Sequence, residues 1–86
     1  DGIARGRALM GAIAPADLRA DLEAAAAALR ARPEVVGPRI GAVGYCLGGR
    51  LAYLSAAWCG VDAAVAWYGG GIHDQLALAG GIRGDL

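Results

Sequence analysis

The stretch that most restricts what this chain can fold into is Gly44-Tyr45-Cys46-Leu47-Gly48-Gly49. It lies between the apolar run Ile40-Gly41-Ala42-Val43 and the helix-forming run Arg50-Leu51-Ala52-Tyr53-Leu54. That order reads as a strand turning sharply into a helix. The residue at the tip of such a turn is held in a strained backbone conformation with its side chain exposed, and glycines two places before and two after it avoid a collision across the turn. Gly44 and Gly48 hold those two places, Gly49 extends the second, and Cys46 is the tip. The spacing predicts a nucleophile elbow with Cys46 as the catalytic nucleophile. The competing reading is a tight structural turn around a buried cysteine.

The chemistry expected of the turn follows from its location. A thiolate, not a thiol, is the attacking species, and a helix N-terminus favours it through unpaired N–H groups and the positive end of the helix dipole. In the same geometry the backbone N–H of the residue after the nucleophile, Leu47, donates to the oxyanion of a tetrahedral intermediate. Glycines also cradle phosphates, but Gly41, Gly44 and Gly48 do not form G-x-G-x-x-G, and a chain without lysine has no Gly-Lys-Ser/Thr.

The flanks supply the context that the turn requires. Pro15 suits a first helical turn, and Leu18, Leu22, Ala25 and Leu29 recur at spacings of three and four, predicting a helix over about Pro15 to Ala31 with an apolar stripe for core packing. Pro33 disfavours helical geometry at Arg32, and residues 34–38 read as a connector. Arg39 to Tyr45 shows no in/out alternation, which predicts a parallel strand covered on both faces. A helix from the turn to Cys59 follows, with Gly60 just past its end, then a second apolar strand over Val61 to Tyr68. The fold class is α/β: helix, then strand, turn, helix and parallel strand. The Gly69-Gly70-Gly71 loop comes next, at the carboxyl edge where open α/β sheets place ligands. Ile72 to Leu78 reads as a short helix and the last residues as loop. Residues 1–13 read as a connecting segment with one helical turn near Ala8 to Ala12.

Composition excludes several classes of partner. Eight basic residues, all arginine, balance eight acidic ones with no basic block, so neither nucleic acid nor an anionic membrane surface is expected to bind. Apolar runs fall short of the roughly 18 residues of a spanning helix. With no signal-peptide pattern at the start, a cytoplasmic location is expected. Cys46 and Cys59 sit at opposite ends of a helix ~20 Å long, too far apart for a disulfide.

His73 is the sole histidine, but in an elbow fold the base follows a late strand, so His73 and Asp74 read as rim residues rather than triad members. Cys59 reads as a small packing residue. Trp67 and Tyr68 end the second strand, and alternation directs one toward a substrate pocket and the other into the core. Arg50 is a solvated helix residue or, alternatively, a contact for an anionic group.

The runs 40–52 and 61–72, with the Asp21-Leu22-Glu23 helix before them, resemble the dienelactone hydrolase (carboxymethylenebutenolidase) family of α/β-hydrolases, over about residues 15–78. The resemblance implies opening of an ester or lactone by a Cys-His-Asp triad, without cofactor or metal, on a small-molecule substrate. Cys46 would be the nucleophile, Leu47 an oxyanion donor, and Tyr68 a pocket residue. That family's acid and histidine lie beyond the segment matching Tyr68. Residues 1–86 are therefore expected to be an internal segment of a single α/β-hydrolase domain, with no second domain, and inactive by themselves. A non-catalytic α/β remnant that keeps the turn for structural reasons is the alternative.

Overall fold

A computed structural model describes residues 1–37 and 39–86, so Pro38, the last residue of the expected connector, lies outside the described residues. The chain begins with a helix, α1 (Gly2–Gly11), where the sequence pattern predicts a connector. Asp1 caps it, its carboxylate accepting the Ala4 N–H at 2.7 Å. Good helix formers, Ala4, Arg5, Arg7, Ala8, Leu9 and Met10, then carry it without any apolar stripe. Consequently α1 buries none of its residues.

Helix α2 spans Pro15–Arg30, with Pro15 in the first turn and Asp17 near the positive end of the dipole. Its contact line differs from the expected stripe. Leu18, Leu22, Ala26 and Arg30 are half-buried, whereas Ala25 and Leu29 are exposed. The line advances by fours because α2 meets the rest of the chain along one narrow edge, and polar ties hold that edge. Arg30 Nη2 donates to the carbonyls of Cys59 and Gly60, both at 3.1 Å, and the Arg19 guanidinium lies 5.4 Å from the centroid of the Trp58 ring.

Strands β1 (Gly41–Tyr45) and β2 (Ala63–Trp67) pair in parallel, Val43 opposite Val65 and Tyr45 opposite Trp67. Helix α3 (Leu47–Trp58) joins them and ends, as expected, at Gly60 in the left-handed conformation, φ 61°. The residues expected to begin the strands close their start instead. The Ile40 N–H donates to Asp62 Oδ2, and the Asp62 N–H donates to the Ile40 carbonyl, each at 2.8 Å. The other edge of β2 takes Asp85, whose carbonyl accepts the Ala64 N–H at 2.8 Å. Residues read as loop thus add a parallel bridge, Ala63 with Asp85.

The sheet face toward α3 consists of Ala42, Gly44, Ala64 and Ala66. Such small residues let a helix approach closely; Ala56, Val61 and Ala64 form the core cluster there with Ala42 packed against it, and Ala52, Tyr53 and Leu54 are the other buried apolar residues of α3. The opposite face is bare: Val43 is 63% exposed and Trp67 52%. Cover on both faces is thus not realised, since α3 is the sole helix laid across the sheet among the described residues. Two 3₁₀ turns, Ile72–Asp74 and Leu76–Gly81, replace the expected short helix. Tyr53 Oη anchors the junction between them by donating to the Gln75 carbonyl at 2.8 Å. No helix among the described residues is long and apolar enough to cross a membrane.

This distribution of burial has a direct consequence. Leu54→Ala, at a side chain 1% exposed, should lower the unfolding free energy by about 3 kcal/mol in urea titration, whereas Leu9→Ala on α1 should change it by less than about 0.5 kcal/mol.

Candidate active site

The β1–α3 turn holds Cys46 at φ 58°, ψ −119°, a conformation that side chains other than glycine rarely adopt. The thiol is exposed. Its backbone is pinned from two sides: the Cys46 N–H donates to the Trp67 carbonyl at 3.0 Å, and the Cys46 carbonyl accepts the N–H groups of Gly49 and Arg50 at 3.0 and 3.3 Å. The N–H groups of Leu47 and Gly48 make no hydrogen bond among the described residues, as befits the first turn of a helix. An exposed thiol beside two unpaired N–H donors can form an acyl thioester and stabilise the oxyanion on the way.

The glycines around the turn divide differently from the sequence expectation. A Cβ on Gly44 would overlap the Gly48 carbonyl, so position 44 cannot carry a side chain. At Gly48 nothing lies within 4 Å of a would-be Cβ. Gly49 is the second obligatory glycine, since a Cβ there would run into the Trp67 carbonyl. The collision to be avoided on the helix side therefore comes from the neighbouring strand rather than from across the turn.

Trp67 and Tyr68 are brought near Tyr45, and neither enters the core. The Tyr45 and Trp67 rings stack with centroids 6.2 Å apart and planes 14° from parallel, and Tyr68 lies 6.3 Å from Tyr45 at a tilt. All three are more than half exposed. The alternation expected of Trp67 and Tyr68 fails because the chain leaves β2 at Tyr68 with φ 37° and because no helix covers the Trp67 face.

Behind the turn, α1, α2 and α3 enclose a groove of about 400 Å³ to which Met10, Leu18, Leu51 and Trp58 contribute apolar walls. Leu47 and Arg50 line it but Cys46 does not. Arg50 Nε and Gln75 Oε1, both on this groove, are buried without a hydrogen-bond partner among the described residues. Arg50 is thus half-buried rather than solvated, and Gln75 has no sequence signal that would have singled it out. No hydrogen bond joins His73 to Cys46; His73 Nε2 lies 3.4 Å from Asp74 Oδ1, with both side chains exposed. Among the described residues no cluster of His, Cys, Asp and Glu could hold a metal ion.

The dienelactone hydrolase family profile matches residues 4–84. The chain belongs to the dienelactone hydrolase family. Its helix, strand, helix and parallel strand are part of that family's α/β-hydrolase fold. Among curated relatives, the carboxymethylenebutenolidase of Pseudomonas putida is 54% identical over 56 residues, 65% of this chain and 23% of the relative. The carboxymethylenebutenolidase of Pseudomonas knackmussii matches to the same extent. The chain therefore spans about a quarter of the length of these dienelactone hydrolase relatives. No solved structure matches it.

Two outcomes follow from the turn. Gly44→Ala should cost several times more stability in thermal unfolding than Gly48→Ala, which should be neutral or stabilise by up to about 1 kcal/mol because alanine is the better helix former. The two free cysteines should also separate. Burial pushes the half-buried Cys59 thiol up, with the charge of Glu23 adding to the shift and those of Arg30 and Arg19 opposing it. Cys59 thus stays protonated to higher pH than an ordinary thiol, and iodoacetamide at neutral pH should label Cys46 first, as read by peptide mass spectrometry.

Proposed function

We propose that the protein carrying this chain hydrolyses an ester or lactone through Cys46. The observation that carries the reading is the Cys46 conformation, φ 58°, ψ −119°, at a strand-to-helix turn, with the thiol exposed and the next N–H unpaired. Membership of the dienelactone hydrolase family and the name carboxymethylenebutenolidase borne by the Pseudomonas relatives support it and point to a lactone of the butenolide type.

In this reading the Cys46 thiolate attacks the carbonyl carbon. The carbonyl electron pair moves onto oxygen, which accepts the Leu47 N–H. Collapse of the intermediate re-forms the carbonyl and breaks the bond to the leaving oxygen, which takes up a proton. Water then cleaves the thioester, releasing the carboxylic acid and restoring the thiol. No cofactor takes part. Two steps need a proton carrier, and in the described residues no imidazole or carboxylate bonds to Cys46. The base is accordingly assigned to chain outside these 86 residues, and the 86-residue piece alone is inactive.

The test uses the complete protein with a dienelactone or with p-nitrophenyl acetate. Cys46→Ala should remove hydrolysis, and the isolated 86-residue chain should show none. Undiminished hydrolysis by Cys46→Ala would leave the turn a structural remnant.

A further inference from the structure

The triplet Gly69-Gly70-Gly71 has no part in the proposed reaction, yet its members are far from equivalent. Around Gly70 nothing lies within 4 Å of a would-be Cβ, and Gly71 adopts a left-handed φ of 85°. Gly69 has neither the open space nor a left-handed φ. A Cβ on it would lie 2.6 Å from the Arg50 amide nitrogen and 2.8 Å from the Gly49 carbonyl carbon, as well as 2.5 Å from Ile72 Cδ1. Two of those three atoms are backbone of the first turn of α3, which cannot rotate out of the way.

The two residues before Gly69 complete the arrangement. The Trp67 carbonyl receives the Cys46 N–H at 3.0 Å and also fills the space a side chain at Gly49 would need. Tyr68 then takes φ 37°; it and Cys46 are the non-glycine residues with positive φ among the described residues. Such a conformation costs on the order of 1–3 kcal/mol and persists only where the surroundings impose it. Here it swings the chain off β2 so that residues 67–69 lie backbone against backbone along the start of α3.

We propose that Gly69 is a positioning residue for the nucleophile: with the Trp67 carbonyl it forms the seat that sets where Cys46 and the Leu47 N–H sit. The proposal rests on the reading of Cys46 as nucleophile. A side chain at position 69 must either lift the first turn of α3 or draw the Trp67 carbonyl away. Either movement breaks the bond that holds Cys46, and it displaces attacking group and oxyanion donor together.

The experiment compares Gly69→Ala with Gly70→Ala in the complete protein, measuring p-nitrophenyl acetate hydrolysis and the iodoacetamide alkylation rate of the Cys46 peptide. Circular dichroism reports folding. For Gly69→Ala, kcat should fall about 100-fold with KM held within about twofold, and alkylation should slow about tenfold, as expected of a roughly 1 Å misplacement. Gly70→Ala should match the parent in all three. A folded Gly69→Ala with parental kcat and alkylation overturns the proposal. Should Gly69→Ala not fold, Tyr68→Gly decides, because glycine adopts the conformation that the seat imposes at lower cost. A raised thermal midpoint is expected, and a lowered one overturns the seat. The nucleophile reading fails separately, through a hydrolytically competent Cys46→Ala, while the alkylation rates still report on Gly69.

Discussion

One hydrogen bond organises this chain: the Cys46 N–H to the Trp67 carbonyl, at 3.0 Å. It joins the two places where the backbone leaves the sheet, and at both of them a non-glycine residue has positive φ. A parallel pair of strands needs a crossover to connect it, and α3 is that crossover. The bond closes the loop, returning the end of β2 to the start of α3. Gly49 is glycine because that carbonyl occupies its side-chain space. The strain at Cys46 is therefore sustained by contact between elements some 20 residues apart rather than by the turn itself.

What the sequence made legible was the part written in neighbouring residues. The strand-to-helix turn at 44–49, the α2 helix from Pro15, the Gly60 stop and the parallel pairing all follow from local spacing and are present. Family and fold class were legible too, since the turn and the strand after it carry them. The choice between Gly48 and Gly49 was not, because it depends on where the Trp67 carbonyl comes to rest. Helix α1 escaped notice for the opposite reason: capping and helix propensity form it, and neither leaves an apolar period to find. On α2 the stripe of leucines indicated a face but missed its direction, since Arg30 and Arg19 fix the helix through a carbonyl pair and an indole ring.

The sheet shows what apolar runs can and cannot convey. Ala42, Gly44, Ala64 and Ala66 face α3, while Val43, Tyr45, Val65 and Trp67 face outward. Both sets are apolar, so the strands read as uniform, yet the first set is small and the second large. Residue size, not polarity, marks the side on which the helix lies close. The large residues form an aromatic and branched surface of the sort that further packing elements cover in doubly wound sheets.

Helix α1 bears on the groove behind the turn. Met10 is part of that groove's wall, and Arg7 lines it as well, yet α1 buries nothing. A wall without buried anchorage belongs to the least stable layer of a protein and moves at little energetic expense. Ala12, Ile13 and Ala14 connect α1 to α2, and Ile13 is itself part of the groove's lining. Leu54 belongs both to that groove's wall and to the buried core, so a substitution there would alter stability and the shape of the chamber beside Arg50 and Gln75 together.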